Sequence, residues 1–353
     1  MASFLIVRLG ALGDIIHALP VAAALRAAFP EARVDWLAAA RHHEILDLVP
    51  PIDCRLLLSA PRGAMQLPEQ GHKVFRGASG TIRAVMSMRG TSYDAAFDLQ
   101  GLIKSAALAR LSGARRVVGF SAPYLRERPA RFFYSETVIP SGAVHVVDKN
   151  LTVVRRVGID RPMRDFPLLR PASAALDEVR ARLAGHGRSA FALLNPGAGW
   201  PNKRWPTERF GSLASTIAIR HGLPSVVLWG RGEERLARAV ADRSNGAAFV
   251  APRTSIADLV SLVSAARLMV AGDTGPLHIA AAVGTPIVGI YGPTDPARNG
   301  PWSGNDVSVS RFASCECHHK RRCRRPEACI LDITVDEVSE AVDRRLAGVH
   351  TNA

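Results

Sequence analysis

A chain of 353 residues, 48% of them hydrophobic, is long enough to bury more than one core. Its ordinary Gly and Pro content and lack of a long low-complexity tract exclude a largely disordered protein. No apolar run of about 20 residues exists to form a transmembrane helix, and Arg8, Asp14 and His17 interrupt any leader-length apolar stretch near the start. A net charge of +14 calls for anionic partners. With aromatics at only 6% and none interleaved with the basic runs, a phosphorylated ligand or an anionic membrane surface is expected, and nucleic acid is not.

Residues 4–9 are a short apolar run followed by Gly10 and Gly13, the pattern of a buried parallel strand feeding a glycine turn. Residues 14–28 carry a helical pattern closed by Pro30. A strand is predicted at 34–38 and a helix at 41–49, stopped by Pro50 and Pro51. From 59 to 89 the pattern is weak and rich in Gly, Pro and basic residues, so it reads as an irregular surface segment. A strand at 95–99, a helix at 102–111, a strand at 117–120, a basic loop at 126–131 and a helix at 145–157 follow. After a polar, Pro-containing stretch at 158–171 the alternation resumes. Strands are predicted at 191–194, 225–229, 268–271 and 286–291, and helices at 208–220, 233–243, 276–283 and 335–346.

This alternation predicts an α/β protein with two Rossmann-like domains, 1–165 and 166–353, whose parallel sheets face a central cleft. The last helix is a candidate to pack back on the first domain. In such sheets ligands bind beyond the carboxyl ends of the strands, so the glycine turns that follow strands are the places to look.

Gly272-Asp273-Thr274-Gly275-Pro276-Leu277-His278 lies between a strand and a helix. Pro suits the first helical turn, and the unpaired N–H groups there, with the helix dipole, make an anion site to which Thr274 adds a hydroxyl. The plain alternative is a helix cap with His278 packed. Gly197, Gly199 and Lys203 follow the first strand of the second half, where glycines admit a ligand and the lysine offers a point charge. An ordinary turn with a surface lysine is the alternative. Glu233 and Glu234 follow another strand; either can accept from a ribose or merely cap a helix. In the first half Gly10-Ala11-Leu12-Gly13-Asp14 lacks the G-x-G-x-x-G fingerprint, which argues against an NAD-dependent oxidoreductase, the alternative enzyme class. Asp14 is placed to deprotonate a hydroxyl, or to cap a helix. Cys315, Cys317, Cys323 and Cys329 have C-x-C-x5-C-x5-C spacing, unlike paired C-x2-C knuckles, so no metal is expected there, nor any cofactor.

These blocks, with Asp98-Leu99-Gln100-Gly101-Leu102-Ile103-Lys104-Ser105 and Lys203-Arg204-Trp205-Pro206, resemble in order the lipopolysaccharide heptosyltransferases of glycosyltransferase family 9. The resemblance implies a GT-B fold and an inverting, metal-independent transfer. It implies ADP-L-glycero-D-manno-heptose as the donor, bound by the C-terminal domain. It implies as acceptor a Kdo–lipid A or inner-core lipopolysaccharide, held by the N-terminal domain, and a place on the cytoplasmic face of the inner membrane. It implies Asp14 as general base and Lys203, Glu233, Asp273, Thr274, Gly275 and His278 as donor-binding residues. Gly13, Arg62, Lys73, Arg76, Gln100, Lys104 and Arg128 are the acceptor-side candidates. The block around Gln100 and the Arg126-Glu127-Arg128-Pro129 segment are similar to the heptosyltransferase I branch, whereas the cysteine cluster resembles heptosyltransferase II-like members.

Overall fold

The computed structural model describes residues 1–59 and 71–347. The chain divides into two compact units, Met1–Leu169 and Arg170–Ala353.

In the first unit the described strands are β1 (Ser3–Val7), β2 (Arg33–Ala39), β3 (Cys54–Ser59), β4 (His72–Arg76), β5 (Ala95–Asp98), β6 (Arg116–Phe120) and β7 (Glu136–Val138). They form a parallel sheet in the order β4-β3-β2-β1-β5-β6-β7. Helices cover the sheet, which is why β1 is buried along its whole length and reads as an unbroken apolar run. Leu5, Val7, Leu37, Leu56, Phe97 and Val117 are among the buried side chains.

In the second unit the described strands are β8 (Ala192–Asn195), β9 (Ser225–Val227), β10 (Ala248–Val250), β11 (Leu268–Gly272), β12 (Ile287–Tyr291) and β13 (Val307–Ser310). This sheet is also parallel, in the order β10-β9-β8-β11-β12-β13. The final helix, Val335–Ala347, buries Val338, Ala341, Val342 and Leu346 in the core of its own unit with Phe210, Ile217 and Ile290. Among the described residues no helix is long and apolar enough to cross a membrane.

Each sheet has one place where the strand order reverses, between β1 and β5 and between β8 and β11. The loops leaving these adjacent strands diverge to opposite sides and open a crevice. The glycine turns at Gly10, Gly197 and Gly272 leave strands at these two points.

The structure corrects the expected irregular segment at 59–89. Strand β4 and a helix at Gly77–Arg89 occupy its described part. That helix buries only Gly80, Ala84 and Met88, an i, i+4, i+8 line too narrow to register as an amphipathic pattern. Gly80 is obligatory, because a Cβ there would lie 2.6 Å from the Phe75 carbonyl carbon. The expected single helix at 14–28 is two, Leu12–Ile16 and Leu19–Ala28, with Pro20 in the first turn of the second, where its missing N–H costs nothing.

Candidate functional site

Beyond the carboxyl end of β1 a cavity of about 650 Å³ is lined by Gly10, Asp14, Arg41, Gln100, Lys104 and Arg126, among others. Arg8, one residue past the end of β1, is buried, and its Nη2 lies 2.7 Å from Asp14 Oδ1. Arg126 Nη2 lies 3.4 Å from Oδ2, and the Ala11 amide donates to Oδ2 at 3.1 Å. Burial pushes the Asp14 carboxyl up, but the charges of Arg8 and Arg126 outweigh it and hold the net value below the usual range. Asp14 is therefore ionised at neutral pH, with part of its carboxylate open to the cavity.

The Asp98-Leu99-Gln100-Gly101 turn fixes this geometry. Asp98, fully buried at the end of β5, accepts from the Gln100 amide at 2.9 Å, Ser105 Oγ at 3.0 Å and Tyr134 Oη at 2.7 Å. The Gln100 side chain then bridges the neighbouring turn: its Oε1 accepts from the Leu9 amide at 2.9 Å and its Nε2 donates to Gly10 O at 3.1 Å. Gly10 has φ +140° and a Cβ there would meet the His42 imidazole at 2.5 Å, so no other residue fits. Burial, with Arg41 alongside, pushes His42 down to about 4, so a neutral imidazole stands beside the Asp14 turn.

The structure thus brings Asp14, Gln100 and Lys104 together on one cavity. Gly13 is buried in the short helix that carries Asp14. Arg76 ends β4, directly before Gly77 on the cavity wall. Arg128 is exposed at the start of a short 3-10 helix, Arg128–Phe133, and it is Arg126, two residues earlier, that reaches Asp14. Lys73 is elsewhere: its Nζ donates to Ser87 Oγ at 3.2 Å and lines a different cavity with Ser3, Arg33 and Asp94. Arg62 lies outside the described residues. Sequence reasoning missed Arg8, Arg41, His42 and Arg126; the signal for Arg8 was a lone charge in an apolar run. A further group, His43, Asp47 and His72, brings three donor atoms within 4.8 Å of one another, but the Arg55 guanidinium at 3.7 Å from Asp47 already supplies the cation there.

In the second unit the loops after β8 and β11 meet. Asn195 Nδ2, at the end of β8, donates to Thr274 Oγ1 at 3.3 Å and to Gly197 O at 3.0 Å. Lys203 Nζ lies 2.5 Å from Asp273 Oδ2 and 4.5 Å above the Trp200 ring. Asn299 Nδ2 donates to Asp273 Oδ1 at 2.8 Å, with His278 Nε2 3.2 Å from the same oxygen. Burial opposes ionisation of Asp273, but His278 and Lys203 reverse it and hold the carboxyl far below the usual range. Asp273 is thus an anchor for cations, and an anionic ligand meets what it anchors. Lys203 has three N–H donors, of which Asp273 takes one.

Thr274 caps the Gly275–Val283 helix without a side-chain bond to its first turn, so the N–H groups there retain their capacity for an anion. Glu233 and Glu234, equivalent by spacing, part company. Glu233 turns toward the glycine loops, accepting from the Gly230 amide at 3.2 Å and filling the space that a Cβ at Gly197 would enter. Glu234 pairs with Arg238 on the exposed face of its helix, Oε1 to Nη2 2.5 Å.

Comparison with known proteins gives this arrangement a family. The profile of glycosyltransferase family 9 (heptosyltransferase) matches residues 82–329. Lipopolysaccharide heptosyltransferase 1 of Pseudomonas aeruginosa is 29% identical over 324 residues, 90% of this chain and 86% of that protein. A glycosyl transferase family 9 structure from Veillonella parvula superposes with a TM-score of 0.79 at 19% identity, covering 98% of each chain. The E. coli heptosyltransferase WaaC with ADP does so with a TM-score of 0.71 at 22% identity, covering 97% of this chain and 99% of that one. The chain adopts the GT-B architecture of these neighbours and belongs to glycosyltransferase family 9, the heptosyltransferases.

Proposed function

We propose that this enzyme transfers a heptose from ADP-L-glycero-D-manno-heptose to the Kdo or inner-core region of lipopolysaccharide, with inversion and without a metal in the reaction. The observation that carries the reading is an ionised carboxylate, Asp14, set among Arg41, Lys104 and Arg126 on one cavity. A phosphorylated sugar lipid needs cations to hold it and a base at its hydroxyl.

Asp14 takes the proton from the acceptor hydroxyl as that oxygen bonds to the anomeric carbon. The bond from that carbon to the phosphate oxygen breaks, and ADP leaves with its electron pair. Lys203, Thr274 and the N–H groups at Gly275 meet the charge that grows on the diphosphate, and Asp273 and His278 hold Lys203 in place. Glu233 accepts from the ribose. An anionic acceptor paired with Arg126 would also relieve part of the positive field on Asp14, strengthening the base as the acceptor seats. With a lipid-linked acceptor, the enzyme works at the cytoplasmic face of an anionic membrane without spanning it.

The test is to incubate the chain with ADP-heptose and either Kdo–lipid A or an inner core already bearing one heptose, following ADP release and acceptor mass. A heptose added to Kdo–lipid A supports the heptosyltransferase I reading. Addition to the heptosylated core alone supports the II-like reading that the cysteine cluster favours. ADP release unchanged by either acceptor refutes both.

A further inference from the structure

Cys315, Cys317, Cys323 and Cys329, too irregularly spaced to read as a metal motif, converge in space. The Cys315 and Cys317 sulfurs lie 3.2 Å apart and those of Cys317 and Cys323 3.0 Å apart, and the Cys329 thiol meets Cys315. Cys315, Cys317 and Cys329 are buried, and all four thiols are free. Thiols are weak donors and weak acceptors, so a ring of them satisfies little by hydrogen bonding. Four free thiols in one unbroken chain of contacts, Cys329 to Cys315 to Cys317 to Cys323, are instead the donor set of a thiophilic ion.

A tetrahedron with Zn–S of about 2.3 Å has sulfur–sulfur edges of about 3.8 Å. The two close pairs therefore need to widen by about 0.6–0.8 Å, and the ends of the chain to fold inward, to admit one ion. Four thiolates leave no open position, so the site is structural.

The residues between the second and third cysteines grip the loop that bears Lys203. Asn202 Nδ2 donates to Lys320 O at 2.9 Å, and Arg321 Nη2 to Gly199 O at 3.3 Å. The His319 amide also donates to Pro293 O at 2.7 Å, tying the same residues to the loop after β12. We propose that Cys315, Cys317, Cys323 and Cys329 bind one thiophilic metal ion, Zn2+ or Fe2+, in a closed structural site that anchors the Gly199–Lys203 loop. The link to ADP rests on the donor-site reading above; the metal site itself does not.

The full chain, purified under reducing conditions without chelator, should carry about one equivalent of zinc or iron by elemental analysis, which also identifies the ion. The four thiols should resist a thiol reagent until the metal is extracted, and reloading stripped protein with Zn2+ alone should restore its thermal midpoint. Cys317→Ser with Cys323→Ser should lose the metal. Stripped wild-type protein, which avoids any misfolding of that variant, should bind ADP about tenfold more weakly than loaded protein, because its loop is no longer preorganised. Less than about a tenth of an equivalent after incubation with excess Zn2+, or disulfides among the four cysteines in unreduced protein, overturns the site. Equal ADP affinity of loaded and stripped protein overturns the anchoring role. Absence of glycosyl transfer with intact metal binding counts against the donor reading and leaves the site standing.

Discussion

The guanidinium of Arg8 lies 2.7 Å from the carboxylate of Asp14, although Arg8 follows directly on the apolar run that becomes β1. A buried arginine is costly without a partner. Its Nη1 donates to the Leu99 carbonyl, and its own carbonyl accepts from Trp36 Nε1 at 3.1 Å. The strand thus delivers a fixed cation to the side of the Asp14 carboxylate away from solvent.

Asp14→Asn should cut turnover by about 10²–10⁴-fold, the usual worth of a general base, while calorimetry shows ADP binding unchanged. Retention of most of the rate would remove Asp14 from the role of base.

The pH profile of the rate follows from the same pair. Asp14 is held below the ordinary carboxylate value, so its ionised form persists as pH falls and is lost only below about pH 4. No acid limb from Asp14 should appear between pH 5 and 9 in kcat/KM, on the order of one unit clear of that value. Arg126→Gln removes one lowering charge and should move the acid limb upward; a limb that stays put would show that Arg126 does not act on Asp14.

His42 gives a stability signature. Its folded value is lowered to about 4, so the unfolded chain binds the extra proton first as pH falls. Its contribution is present above about pH 6.5 and drains away between there and about pH 4. Denaturant midpoints of His42→Asn should fall less steeply than wild type across that window. Parallel slopes would refute a neutral, half-buried imidazole.

Lys203→Met leaves Asp273 with only His278 and Asn299. We expect about 1–3 kcal/mol of lost stability by chemical denaturation, together with weakened ADP binding. Lys203→Arg should not rescue ADP affinity, since a planar guanidinium cannot take the place of a point charge wedged between Asp273 and the Trp200 ring.

Glu233→Gln should weaken ADP binding by about 10-fold or more, the loss of a hydrogen bond to a charged group, whereas Glu234→Gln should leave it unchanged. Gly197→Ala should mimic Glu233→Gln at little cost in stability, because the added methyl displaces only the flexible carboxylate end of Glu233. Equal effects at 233 and 234 would count against the assignment.

Gly80→Ala should destabilise by about 1–3 kcal/mol despite the better helix propensity of alanine, since the methyl meets the Phe75 backbone. Gly304→Ala, where a Cβ meets nothing within 4 Å, is the control for thermal unfolding.

The amino-acid sequence determined the two-domain α/β plan, because a strand buried on both faces must be apolar along its length. Strands β1, β11 and β12 were therefore legible as runs. It also marked the glycine turns at Asp14 and Asp273, where Gly10 takes a φ reserved for glycine and a Cβ at Gly272 would lie 2.8 Å from the Lys203 carbonyl oxygen. The short strands β7, β10 and β13 and the Gly77–Arg89 helix were not legible. They lie at sheet edges or bury a single narrow line, so local composition carries little of their burial.

What only tertiary structure decided is which charges meet. Arg126 reaches Asp14 across 112 positions and Lys203 reaches Asp273 across 70, distances that no spacing rule spans. Lys73, chosen for charge, points into another cavity, and Glu233 parts from Glu234 through helix phase. Charge identifies a residue that can bind an anion; the topology of the sheet decides whether its side chain arrives where one can sit.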